Sequence, residues 1–356
     1  MAAYTTIDNP ELFFQVVLYT GNGSANHAIT LPGDEDMQPD IVWIKNRDAT
    51  DSQCLFDAVR GATKLLPPDS NVAETTDTDT LDSFTSDGFQ VDADVKVNTN
   101  AEKYVAWCWK ANGTGSSNTS GSINTGSTSV NTTSGVAIST YEGNGTSGAT
   151  IGHGLGAVPK LFIVKGRTTG KTQGWQTYNV GIDATAPEDY FISLNTNGAS
   201  YNQASYWNDT APTASVFSVG NDVDVNTDGD DYVAYLWTDI QGFSKFGSYT
   251  GNDNADGTFV YLGFRPAFVI IKNAEGDSGD RWVAFDSKRE GYNVDNDSLA
   301  PDDTGVEATT DEIDLLSNGF KLRVATANLN DADNYIYWAW AEAPLVNSNG
   351  VPNNAR

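Results

Sequence analysis

Histidine, cysteine and methionine are almost missing from this chain of 356 residues, at two each. His27 and His153 fall at unmatched places, and no G-x-S-x-G elbow accompanies either, so a Ser-His-Asp or Cys-His mechanism has little to work with. Both read as ordinary turn or surface histidines. Cys54 and Cys108 make no disulfide framework and form no C-x-x-C pair, so they read as free, buried thiols and a structural zinc site is unsupported. Cations are scarce too: 20 Lys plus Arg stand against 47 Asp plus Glu, for a formal charge of −27. Such a surface repels phosphates and disfavours nucleic-acid binding. It suits solubility, or a setting rich in salt and divalent cations that screen the self-repulsion. Long helical periods are absent, and no run approaches the roughly 18 apolar residues of a membrane span. The N-terminus, MAAYTTIDNPELFF, has no basic region leading into an apolar stretch, so a secretory signal is not expected.

What is present is hydrophobic and aromatic enough for a folded chain, at 39% and 11% of residues. Short apolar runs punctuated by Gly, Asn, Asp, Ser and Thr point to all-β structure. The same sequence of landmarks then occurs three times. Tyr19-Thr20-Gly21-Asn22, Tyr141-Glu142-Gly143-Asn144 and Tyr249-Thr250-Gly251-Asn252 open each copy. Apolar runs headed by proline follow, from Pro39 to Lys45, Pro159 to Lys165 and Pro266 to Lys272. Aromatic runs close each copy: Tyr104 to Trp109, Tyr232 to Trp237 and Tyr335 to Trp340. Phe89, Phe217 and Phe320 each precede the tyrosine of that run by 15 residues, a spacing that predicts a shared hairpin.

These landmarks predict three tandem antiparallel β-sandwiches of jelly-roll or lectin-like type, at residues 12–111, 136–242 and 243–345. A pseudo-threefold arrangement is open to them. Residues 112–135, nearly all Gly, Ser, Thr and Asn, read as a flexible linker that lets the first copy sit apart. Residues 346–356 read as an extended strap or loose end. The run Phe89, Val91, Ala93, Val95, Val97 alternates with polar residues and predicts one strand through Asn98; Phe217, Val219, Val223 and Val225 keep the pattern. The proline-headed and aromatic runs are bulky on both faces, which predicts central strands covered by a second sheet or a neighbour.

Few residues offer chemistry. Asp224, Asn226 and Asp228 match the first half of a calcium loop, but the position of its bidentate glutamate holds Tyr235, which cannot ligate; a solvated turn is the plainer reading. No other cofactor is implied. Asp57 and Arg60, and again Asp286 and Arg289, follow a phenylalanine and read as turns tied by a charge-assisted hydrogen bond; the second copy lacks the pair. Aromatics outside the repeated strands are the candidate ligand contacts: Tyr190, Tyr201, Tyr206, Trp207 and Tyr292. With 47 carboxylates, no pair can be singled out for glycan hydrolysis, and no catalytic residues are assigned.

The combination YTGNG, PDIVWIKNR, LFDAVRG, SFTSDGFQV and YVAWCWKA resembles a repeated β-domain family in virion proteins of marine tailed bacteriophages. The resemblance extends over nearly the whole chain and is looser in the second copy. It implies a virion component, tail-associated, fibre-like or simply structural, and supplies no catalytic residues. The expectation is a non-enzymatic structural protein of the tail, serving in host attachment. Its partners would be other virion proteins and a host-surface glycan or receptor, with homo-oligomerisation open. The alternatives are a head decoration or cement protein, and a carbohydrate-binding or glycan-cleaving module.

Overall fold

The computed structural model describes residues 3–276, 279–289, 293 and 295–353. The chain is all-β, with several antiparallel sheets stacked face to face in the manner of a β-sandwich.

One order of strands recurs. In the first segment Phe14–Thr20 pairs with the return strand Lys103–Trp109, which pairs with Ile41–Asn46 and then Cys54–Asp57. In the second, Val136–Glu142, Asp231–Trp237, Leu161–Gly166 and Trp175–Asn179 lie in that order. In the third the order is Ser244–Thr250, Asn334–Pro344, Phe264–Asn273 and Val283–Asp286. Smaller sheets cover one face: His27–Thr30, Gly88–Val91 and Leu81–Thr85; Ala149–Gly152 with Val216–Val219; and a four-stranded sheet containing Phe259–Tyr261 and Gly319–Leu322.

The Gly-Asn turns have a steric cause. A Cβ on Gly21, Gly143 or Gly251 would lie 2.1, 2.2 or 1.8 Å from the carbonyl oxygen of Thr99, Thr227 or Asp331, so only glycine fits. The approach is held by buried asparagines. The Oδ1 atoms of Asn98, Asn226 and Asn330 accept from the backbone N–H groups of Asn22, Asn144 and Asn252. Beside each turn two tyrosines stack, Tyr19 on Tyr104, Tyr141 on Tyr232 and Tyr249 on Tyr335, at 5.0, 5.2 and 5.1 Å. The alternating run does not stay a strand as its pattern predicts. Asp94 and Asp222 cap short helices, Val95–Asn98 and Val223–Asn226, which turn the asparagines inward.

Burial on both faces of the return strands now has two separate causes. Tyr104, Ala106 and Cys108 face a core under the small sheet of their own segment, as do Tyr232, Ala234 and Leu236. Val105, Trp107 and Trp109, and Val233, Tyr235 and Trp237, face one large core shared by all three segments. Both cysteines are free and buried. The rings of Trp109, Trp237 and Trp340 meet there edge to face, at 6.3 Å (109 to 237), 5.2 Å (109 to 340) and 5.9 Å (237 to 340). None of the three indole N–H groups has an oxygen acceptor among the described residues. An edge directed at a neighbouring π face is where such a donor is best tolerated.

Two more expectations are overturned. The first segment does not sit apart, because Phe14, Trp43, Trp107 and Trp109 are part of the shared core. Nor is 112–135 a flexible linker: Ser127–Asn131 pairs with Val136–Glu142 as an added edge strand, and Ile123 and Thr125 are buried. Its hydroxyls do the work a hydrophobic side chain would do elsewhere, as in the chain from Thr125 through Thr128 and Ser139 to the Gly152 carbonyl. The tail is tied down through residue 353. Ser348 donates its backbone N–H to Asp8 at 2.6 Å, and Asn353 donates to the Leu345 carbonyl.

Replacing Trp109, Trp237 or Trp340 by alanine is expected to cost about 3–5 kcal/mol each in urea melts, and pairs of these changes should be non-additive. A loss under about 1 kcal/mol at any of them would remove that ring from the core.

Candidate functional site

The residues that the sequence singles out do not assemble into one site. Trp207 is 1% exposed; its indole N–H donates to the Tyr190 carbonyl. Tyr206 is buried too, stacked on Phe191, so neither is a surface contact. Tyr190 is half-buried, Tyr201 is exposed, and Tyr292 lies outside the described residues. Asp224 accepts from Gly174 N–H and the Gln176 amide, and the Asn226 amide donates to the Thr146 and Gly220 carbonyls, while Asp228 is exposed. Both Asp224 and Asn226 thus serve the fold. Among the described residues, no group of three or more His, Cys, Asp or Glu is gathered as a metal centre requires. His153 is buried instead of exposed: Nδ1 accepts from Leu155 N–H, so Nε2 carries the proton donated to the Thr213 carbonyl. Burial holds its pKa below the ordinary value.

What the structure does gather is a set of polar contacts at the junctions between segments. Asp57 and Arg60 are wholly buried, 2.5 Å apart, and tie their own turn as the spacing predicts. They also reach beyond it. Asp57 accepts from the Tyr235 hydroxyl of the second segment at 2.6 Å, and Glu74 joins Arg60 to Arg167 at 3.0 and 2.9 Å. Burial opposes the charge on Arg60, but Asp57, Tyr235 and Glu74 outweigh it and hold its pKa above the ordinary value. Burial likewise opposes the charge of Glu74, and Arg167 and Arg60 still hold its carboxyl below the usual range.

The third segment meets the first in the same way. Asp286 binds Arg289 at 2.7 Å and accepts from the Trp107 indole at 3.1 Å, while Glu307 joins Arg289 to Arg47 at 3.1 and 2.6 Å. Register explains the match. Asp57, Asn179 and Asp286 oppose Ile41, Leu161 and Phe268; Trp107, Tyr235 and Trp338 oppose Trp43, Ile163 and Ile270. At the remaining junction the Asp-Arg pair is replaced by Asn179 and the buried Ile182. There the Trp338 indole and the Asn179 amide find no partner among the described residues. Deleting both charges together avoids a lone buried ion, and the cost is confined to these two donors.

A further contact closes the set. Four residues before Asp57, Asn179 and Asp286 stand Gln53, Trp175 and Trp282. Gln53 donates to the Ala300 carbonyl of the third segment at 2.8 Å, Trp175 to Pro67 of the first at 2.9 Å, and Trp282 to Ser193 of the second at 3.1 Å. First to third, second to first, third to second: the donations form a closed cycle. Sequence reading found the Asp-Arg pairs but missed Glu74, Glu307 and these donors. The arginine two residues after Lys45 and Lys165 was the available signal for Arg47 and Arg167.

The geometry therefore defines an all-β body whose buried ion pairs lie at the junctions between segments. The chain belongs to the family described as a domain of unknown function, DUF7483, whose model matches residues 9–344. No curated protein matches it.

Two outcomes follow. Asp57→Ala leaves the buried Arg60 with Glu74 as its counter-ion and takes the acceptor from the Tyr235 hydroxyl; it should cost about 3–5 kcal/mol in urea melts, whereas Asn179→Asp with Ile182→Arg should melt higher than either single change. For His153, whose folded pKa is lowered, stability is complete above the unfolded value of about 6.5 and drains as pH falls below it. Melting temperature should then drop more steeply on acidification in the native chain than in His153→Gln.

Proposed function

We propose that this chain is a non-enzymatic structural component of a bacteriophage virion, mounted on the tail and serving in host attachment. In this reading it is three copies of one β-sandwich closed into a pseudo-threefold ring. The observation that carries the reading is the closed cycle of donations from Gln53, Trp175 and Trp282. A head-to-tail contact that closes on itself within one backbone imitates a cyclic trimer, and so fits a threefold mounting point on a particle. Three sets of surface loops held in fixed relation also offer multivalent contact with a cell surface. The charge of −27 accords with seawater, where ions screen it. The resemblance of the repeated motifs to marine phage proteins points the same way.

The closed ring equally suits a head decoration protein on a capsid threefold, so copy number is the discriminating quantity. A glycan-cleaving role draws less support: the carboxylates brought together at the junctions, Asp57 with Glu74 and Asp286 with Glu307, are bound to buried arginines. Antibody labelling and quantitative mass spectrometry of purified particles test the reading. Tail labelling at a few tens of copies is expected; hundreds of copies over the head would favour decoration, and absence from the particle would overturn both.

A further inference from the structure

One position on the opening strand is treated differently in each segment. Gln15, Ala137 and Lys245 share a register, opposite Cys108, Leu236 and Ala339 of the return strands. In the first segment the space beside it is closed from within: the Gln15 amide donates to the Glu11 carbonyl and accepts from Gly33 N–H. In the second, the added strand Ser127–Asn131 covers it, with Val130 opposite Ala137. The third segment has neither cover. An open cleft of about 370 Å³ lies there, lined by Tyr4, Asp239, Gln241, Lys245 and Tyr261 among others.

Its walls are suited to a ring-shaped polar ligand. Tyr261 is 48% exposed. Tyr4 stands beside it: its hydroxyl donates to the Gly263 carbonyl at 2.8 Å and lies 3.4 Å from that of Tyr261. Lys245 spends one N–H on the Tyr261 carbonyl, at 2.7 Å, and its ammonium stands over the edge of the cleft 5.6 Å from the centroid of the Tyr261 ring, covering one of that ring's faces. Gln241 is exposed, and Asp239 uses one carboxylate oxygen to accept from Phe246 N–H. A peptide strand does not fit in the place that Ser127–Asn131 takes in the second segment. The Ser244 and Phe246 N–H groups are already bonded, and the edge is blocked further on, where a Cβ on Gly181 would lie 2.5 Å from the Gly247 carbonyl carbon. A compact ligand fits, and 370 Å³ lies in the range of small-molecule sites.

We infer that this cleft is a subsite for one pyranose ring of a cell-surface glycan. The C–H face of the sugar packs on the face of Tyr261 that Lys245 leaves uncovered, and its hydroxyls are bound by Lys245, Gln241 and Asp239. The inference rests on the attachment role proposed above, but the two can fail separately, since particle labelling and sugar binding are independent measurements.

The test is saturation-transfer NMR of the full chain with the methyl glycosides of glucose, galactose, mannose and N-acetylglucosamine. At least one should bind at millimolar concentration. Tyr261→Ala and Lys245→Met should each weaken it about tenfold or more, with circular dichroism unchanged, while Tyr201→Ala, an exposed tyrosine elsewhere, should leave it intact. Binding of none of the four, binding that survives Tyr261→Ala, or preference for a synthetic peptide of residues 122–132 would each overturn the inference.

Discussion

Trp109, Trp237 and Trp340 stand at one register position on the three return strands, and their rings touch pairwise edge to face. Everything else in the molecule is placed by that meeting. Because one face of each large sheet must reach the shared core, its other face needs a cover, and the smaller sheets supply it. Because three sheets converge, their outer strands run past one another, and each presents a donor to the next segment's carbonyls. An oil-like core alone would let the segments slide; the directional contacts of Gln53, Trp175 and Trp282 fix their register.

The buried charges are subordinate to this packing. An Asp-Arg pair in the interior contributes little net stability over an apolar pair, yet half of one is severely destabilising. That asymmetry accounts for the junction between the second and third segments. Asn179 and Ile182 stand there where the other two junctions have Asp and Arg, and the junction has the Trp282 and Asn334 hydrogen bonds to the second segment. Those two segments are also joined directly along the backbone, so the junction that lost its ions is one the chain itself tethers. On the proposed triplication, the ions were dispensable where connectivity already held the copies together.

Much of the architecture was legible in the sequence because the same landmarks recur along it. Glycine before asparagine and the doubly apolar strands each follow from a local steric or burial requirement that one residue type meets. The misreadings share a cause. Val95 and Val97 alternate like a strand, but Asp94 caps a helix there, and a single capping residue outweighs a weak period of two. The Ser/Thr segment 112–135 looked like a linker because composition reports the absence of apolar groups. It cannot report that hydroxyls will pair with a neighbouring strand. Tyr206 and Trp207 looked exposed because their surroundings in sequence are polar, although their surroundings in space are not. The cleft at Tyr261 was invisible, since what makes it open is the lack of a cover that the other two segments have.

The central claim is that the shared tryptophan core makes three segments one cooperative body. Differential scanning calorimetry reads this directly. A single transition whose calorimetric and van't Hoff enthalpies agree is the predicted result. Two or three resolved transitions, each with the enthalpy of a unit of about 100 residues, would contradict it.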